Sequence, residues 1–292
     1  MTAIGFIGPG IMGAPMIANL VRAGFTVRAF GRSQRSRDRI QQAGAQVADS
    51  AADAAAGAQT VITMLPDTPD VQQVVLGDGG LADVLTNGQV LIDMSTIRPD
   101  VTRKIAAELA ERGVAMLDAP VSGGEAGAVE GTLSIMVGGE AGVLERMRSV
   151  LEPLGSAITH VGPNGAGQLT KAANQLIVAA NIQAVAEAIV LLESSGADVE
   201  QALDAIGGGL AGSAVLDRKR QAFLRDDFTP GFRVELHNKD LRIVQDTARV
   251  AGVGLPASAV VSQFMAAAQA QGHGELDHSV LLRVARDLNA KR

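Results

Sequence analysis

The sequence has no cysteine, no tryptophan and no tyrosine, and aromatic residues make up 2% of its 292 positions. Without thiols there can be no disulfide, no thiolate metal site and no cysteine nucleophile, which fits a reducing compartment. The four histidines, His160, His237, His273 and His278, show neither HxxxH nor HxH spacing, so no metal site is expected. No dense Lys/Arg block occurs and the net charge is −6. That balance argues against nucleic acid or an anionic membrane as partner and points to small metabolites. The N-terminus enters a strand pattern at once, with no basic segment leading to an apolar run and a cleavage site, so a cytoplasmic location is expected. The apolar stretch after Lys171 is interrupted by Asn174, Gln175, Asn181, Gln183 and Glu187, which should leave it too short for a bilayer and make it a buried helix.

Hydrophobic residues are plentiful, at 47%, enough for a large core in two domains. In the first half, β-branched runs (AIGFIG, TVRAF, QTVITML, QVLIDMS) alternate with helical patterns, the mark of βαβ units and a parallel sheet covered on both faces. MLDAPV, TLSIMVGG and ITHVGP continue the strands. From Gly165 onward the pattern is helical: a long helix over about 166–194, then DVEQALDAIG, SAVLDRKRQAFL, a segment around HNKDLRIVQDTARVAG, one after Pro256, and LDHSVLLRVARDL. At 1.5 Å per residue the long helix spans roughly 40 Å, enough to run from one domain into the next. The expected domains are 1–163 and 164–292.

Gly8, Gly10 and Gly13 form GxGxxG directly after the strand AIGFI, with Ile11 and Met12 between the second and third glycines, and open a helix. In that context the first glycine permits a tight turn, the second lets backbone approach a pyrophosphate and the third packs helix on strand. The next strand ends at Gly31, followed by Arg32 and Ser33, where an NAD site usually carries an acid. A missing carboxylate does not repel a 2′-phosphate, and a guanidinium can pair with one, so NADP(H) is expected to be preferred, with NAD(H) also accepted. The same residues would also suit a solvated basic turn.

In DAPVSGGEAGA, residues 118–128, a strand runs into Ser122, Gly123 and Gly124. Such a run either makes a backbone nest for a carboxylate or forms a tight turn with a capping serine. Lys171 heads the long helix with Asn174, Gln175 and Asn181 on its face. It either snorkels to water or donates a proton to a carbonyl oxygen as hydride arrives at carbon.

Taken together, GFIGPGIMGAPMIANLVRAG, DAPVSGG, GAGQLTKAANQ and NKDLRIV, in this order and along essentially the whole chain, resemble the β-hydroxyacid dehydrogenase family. The resemblance implies an α/β fold: an N-terminal Rossmann-like doubly wound sheet and a C-terminal all-α domain, joined by a long interdomain helix. It implies Lys171 as the catalytic proton donor. Ser122, Gly123 and Gly124 would hold the substrate carboxylate, and Asn174 and Gln175 would orient substrate and ammonium. Several members have Asn where this chain has Gln175. Leu65 and Pro66 match the loop over the adenosine side of the cofactor, Thr96 lies between nicotinamide and substrate, and Lys239 with Asp240 closes over the cofactor. The stretches GGLAGSAVLD, FTPGFRVELHNKDL and DHS resemble in particular the members that reduce a small carboxylated semialdehyde, and the resemblance implies that reaction, tartronate semialdehyde to glycerate first. Oxidation of 3-hydroxyisobutyrate or another β-hydroxy acid is the alternative, ahead of a non-catalytic nucleotide-binding scaffold. A homodimer or homotetramer is also implied.

Overall fold

In the computed structural model residues 3–290 are described, and the chain divides into two compact units, 1–171 and 172–292. The first unit starts with β1 (Ala3–Ile7), α1 (Gly13–Arg22), β2 (Thr26–Phe30), α2 (Gln34–Gln42), β3 (Gln46–Val47), α3 (Ala51–Ala55), β4 (Thr60–Thr63), α4 (Thr68–Leu76) and α5 (Leu81–Val84). It goes on through β5 (Val90–Asp93), α6 (Pro99–Ala110), β6 (Ala115–Asp118), β7 (Val121–Ser122), α7 (Gly124–Glu130), β8 (Ser134–Gly138), α8 (Ala141–Leu151) and β9 (Ala157–Gly162). α9 (Ala166–Ser194) starts in this unit and continues into the second.

The strands run β3-β2-β1-β4-β5-β6, all parallel, with Ile4, Gly5, Phe6 and Ile7 opposite Val27–Phe30 on one side and Thr60–Thr63 on the other. Strands β4 and β5 are buried at every position. Burial on both faces explains why TVIT and VLID show no alternation of apolar and exposed polar positions. One face packs Ile4, Phe6, Ile62 and Ile92 on Met16 and Leu20 of α1; the other packs Ile7, Val61 and Leu91 with Val71, Val75 and Ile105 of α4 and α6. Each such side chain contributes about 1.5–3 kcal/mol.

The sheet is not parallel throughout. Strand β8 runs antiparallel to β6 and β7, with Val121 opposite Ile135 and Ser122 opposite Ser134, and β9 is parallel to β8. The link from Ser122 to Ser134 holds only α7 and a turn at Gly131 (φ 69°). A crossover back into a parallel strand needs a dozen or more residues, so a link this short returns the chain the opposite way.

The second unit is helical: α10 (Val199–Gly207), α11 (Ala214–Arg225), α12 (Val234–Ala251), α13 (Pro256–Ala268) and α14 (Leu281–Asn289). Its core gathers Phe223, Phe228, Leu241, Met265, Leu281 and Leu282 around the buried face of α9, Ala179, Ile182, Ala186 and Ile189. The expected single helix LDHSVLLRVARDL is divided. Asp277 accepts from the Ser279 N–H to cap a 3-10 turn, His278–Val280, before α14 begins. By length and composition α9 is long and apolar enough to cross a membrane, so its amides do not shorten the apolar run as expected from sequence. Alanine, valine, isoleucine and leucine between the amides keep the average apolar, and the fold uses one side of the helix as core.

Candidate active site

The strand order reverses between β1 and β4, and open α/β sheets bind ligands at the carboxyl ends of the strands at such a point. Gly8 leaves β1 at φ 102°, and a Cβ there would run into the carbonyl of Met64. A Cβ on Gly13 would meet the Gly8 carbonyl, so α1 begins in backbone contact with the end of β1. Gly10 differs: a Cβ there would meet nothing within 4 Å. Its missing side chain leaves open space in front of the backbone, which is what a pyrophosphate requires. No side chain caps α1 at Met12, so its first N–H groups suit an anion, and Ile11 is exposed. The residues present therefore fit a dinucleotide. Leu65 reaches over Gly8, its Cδ2 3.1 Å from where a Gly8 Cβ would stand, and its N–H donates to Ser95 Oγ at 2.9 Å; Pro66 follows it.

At the end of β2, a Cβ on Gly31 would collide with Ser36 Cβ and lie 2.8 Å from Pro9 Cγ. No acidic side chain fits there, which accounts physically for the missing carboxylate. The Arg32 side chain is 82% exposed and only loosely held, 3.6 Å from Asp70. Ser33 accepts from the Ser36 N–H at 3.1 Å and caps α2.

Ser122 ends β7, and Gly123 and Gly124 follow at φ 140° and 66°. Positive φ at both positions is backbone that glycine adopts without strain.

The first turn of α9 is docked on the sheet. Asp118, the last residue of β6, accepts from the Gly165 N–H at 2.8 Å and the Gln168 N–H at 3.0 Å. A Cβ on Gly167 would stand 2.5 Å from the carbonyl oxygens of both Asp118 and Met136, so only glycine allows this approach. Gln168, 1% exposed, accepts from the Ile97 N–H at 3.0 Å and donates to the Ser95 carbonyl at 2.8 Å. Its amide thus straddles Thr96, in the loop after β5. Lys171 is buried one turn further along α9. Asp118 is pushed up to about 6, first by burial; the bonds from Gly165 and Gln168 oppose this, and nearby Asp93 adds to it. Neither Asp118 nor Gln168 figures among the sequence-derived site residues. The signal available for them was a polar residue at the end of an apolar strand and one beside GAG at a helix start.

Within the second unit, Gln175 Nε2 donates to Asp240 Oδ2 at 2.5 Å and Asn174 Nδ2 to Gln175 Oε1 at 2.8 Å. Lys239 Nζ lies 2.8 Å from Asp240 Oδ1, both residues buried. The four residues expected from this unit are therefore together: Asn174, Gln175 and Asp240 in a hydrogen-bonded chain, Lys239 at its end. Beneath them His237 approaches the Gln175 carbonyl and His278. Asp277, buried next to His278, accepts from Lys219, Gly231, Phe232 and Ser279. His278 and Lys219 hold its carboxyl down at about 2 against the effect of burial. Among the described residues no three His, Cys, Asp or Glu side chains gather into a metal-binding group.

Residues 3–162 match the NAD binding domain of 6-phosphogluconate dehydrogenase, and residues 165–285 match the NAD-binding region of NADP-dependent 3-hydroxyisobutyrate dehydrogenase. The 2-hydroxy-3-oxopropionate reductase of Escherichia coli (strain K12) is 41% identical over 280 residues, 96% of each chain. A Mycobacterium tuberculosis 3-hydroxyisobutyrate dehydrogenase solved with L-serine superposes with a TM-score of 0.90 at 37% identity, covering 98% of this chain and 99% of that one. Psf3, solved in complex with NADP+ and 2-OPP, gives a TM-score of 0.88 at 26% identity, covering 96% and 99%.

Proposed function

The chain belongs to the 3-hydroxyisobutyrate dehydrogenase family, NAD(P)-dependent β-hydroxyacid dehydrogenases acting on CH–OH groups, and from that membership we propose that it reduces a small carboxylated semialdehyde, tartronate semialdehyde to glycerate in the first place. The observation that carries this reading is a buried lysine, Lys171, one turn beyond a helix start docked on the carboxyl ends of β5 and β6. Open α/β sheets place ligands at those strand ends.

When bound, the dinucleotide supplies the hydride that reaches the aldehyde carbon. Lys171 Nζ gives its proton to the aldehyde oxygen, which becomes the product hydroxyl, and recovers one from solvent. Ser122, Gly123 and Gly124 hold the substrate carboxylate through a hydroxyl and backbone N–H groups. Asn174 and Gln175 orient substrate and ammonium, and Thr96 sits beside the reacting groups. The segment from Gly8 to Gly13, including Ile11 and Met12, would hold the pyrophosphate, with Leu65 and Pro66 beside it. Asp240 is assigned to the substrate and Lys239 to the cofactor. Arg32, assisted by Ser33 and next to Gly31, would take the 2′-phosphate and favour NADP(H). The protein's contribution is alignment and charge.

The second reading, oxidation of 3-hydroxyisobutyrate or another β-hydroxy acid, is favoured by the relative solved with L-serine. Initial rates with tartronate semialdehyde, glyoxylate, succinic semialdehyde and methylmalonate semialdehyde, and with the matching hydroxy acids in reverse, separate the two. Lys171→Ala is expected to lower kcat by three or more orders of magnitude with cofactor affinity mostly kept. Near-normal turnover would remove the lysine from the mechanism.

We assign self-association, as a dimer or tetramer, to α9. Ile177, Ala184 and Leu191 recur every seven residues on its exposed side, with Ile177 61% and Leu191 68% exposed. An apolar stripe of this spacing suits the same stripe on a second copy.

A further inference from the structure

We infer that Gln168 is a positioning residue for catalysis: its carboxamide, bonded on both sides of Thr96, sets where the Lys171 side chain stands relative to the Thr96 loop. This rests on the proposed role of Lys171 as proton donor.

An amide can donate and accept at once, which neither a carboxylate nor an apolar side chain can do. The Ile97 N–H needs an acceptor and the Ser95 carbonyl needs a donor, and both are met by one side chain, at 3.0 and 2.8 Å. Two bonds from one rigid plane fix its orientation as well as its distance. The backbone of Gln168 is held independently, its N–H on Asp118 Oδ2 at 3.0 Å, with Gly165 on the other carboxylate oxygen. The residue is therefore fixed at both ends, main chain to β6 and side chain to the loop after β5. Lys171 follows three positions later in the same helix, on the same face and about 4.5 Å further along the axis. A rotation or slide of this turn is passed directly to Lys171, while Thr96 stays with the sheet.

A purely structural reading is that Gln168 only satisfies two buried backbone groups. It predicts lost stability with unchanged chemistry. Positioning predicts lost chemistry, because misplacement by about 1 Å can cost on the order of 100-fold in rate.

The test is a cycle of Gln168→Met, Lys171→Ala and the double variant in the full-length protein, with NADPH and the best semialdehyde. For Q168M the expected result is a 10–100-fold fall in kcat, an NADPH Kd within about threefold of wild type, and a larger isotope effect with 4-deuterated NADPH. In the Lys171→Ala background the same substitution should change the residual rate by less than about threefold, since no ammonium remains to be aligned. An undiminished kcat in Q168M, or an equal fold-loss in both backgrounds, would overturn the inference and leave the role of Lys171 intact. A near-normal rate in Lys171→Ala alone would instead remove the reading on which it rests. Gln168→Glu keeps the proposal testable should Q168M not fold. Its carboxylate accepts from Ile97 but repels the Ser95 carbonyl, whereas its protonated form donates to that carbonyl. Its kcat relative to wild type should therefore rise as pH falls from 8 to 6, and a flat ratio counts against the inference.

Discussion

His237 and His278 meet through their Nδ1 atoms, 2.8 Å apart, and His237 turns its Nε2 to the carbonyl oxygen of Gln175 at 3.1 Å. A carbonyl only accepts, so His237 carries its proton on Nε2. Where the His237 ring is neutral, its Nδ1 is then the acceptor and His278 Nδ1–H the donor.

Burial, and then the neighbouring His237, hold the His278 imidazole well below its usual pKa; Asp277 opposes them, and Lys219 adds to the depression. A base depressed by folding contributes stability that is complete above its unfolded value, about 6.5, and lost as pH falls below it. The Tm of the wild type should therefore drop more steeply between pH 7.5 and 5.5 than that of His278→Asn. Parallel melting curves for the two proteins would refute this.

Asp118 has the opposite sign. Its carboxyl is raised from 3.8 to about 6, so the folded chain holds the proton more tightly between those values. Its contribution is greatest below 3.8 and declines as pH rises through 6, by at most about 3 kcal/mol. Asp118→Asn cannot ionise, so its Tm relative to wild type should improve from pH 4 to pH 6.5. Urea titrations at several pH values measure the same difference.

Arg32 is exposed and only loosely held by Asp70, and the proposed role in cofactor choice rests on its charge. Arg32→Ala is expected to lower kcat/KM for NADPH about 10–100-fold and to alter that for NADH less than threefold. A wild-type preference for NADH that persists in the variant would remove Arg32 from cofactor choice.

The exposed positions of α9 carry the prediction about assembly. Ile177→Asp combined with Leu191→Asp places two charges on the apolar stripe without touching Ala179, Ile182 or Ala186 on the core side. Light scattering after size exclusion should show the wild type at twice or four times the chain mass, and the double variant at the mass of one chain. An unchanged mass would place the contact elsewhere.

Much of this was readable from the chain itself, and the reason is distance. GFIGPG with the helix after it, the glycine at 31, the long apolar helix and the lysine at its head are patterns within one strand, turn or helix. There, side-chain period and backbone freedom act between near neighbours. The same holds for α10 and α11, which start within a residue of where DVEQALDAIG and SAVLDRKRQAFL placed them.

Only the tertiary structure could decide what meets across long separations. Asp118 reaches Gly165 over 47 residues, Gln168 reaches Ser95 over 73, and His237 reaches His278 over 41. A hydrogen bond depends on position within tenths of an ångström, and no local period encodes that. The reversal of β8 belongs here as well, because it depends on how far α7 carries the chain before it returns to the sheet. The candidate residues were legible in motifs; how they are held in place was settled by packing.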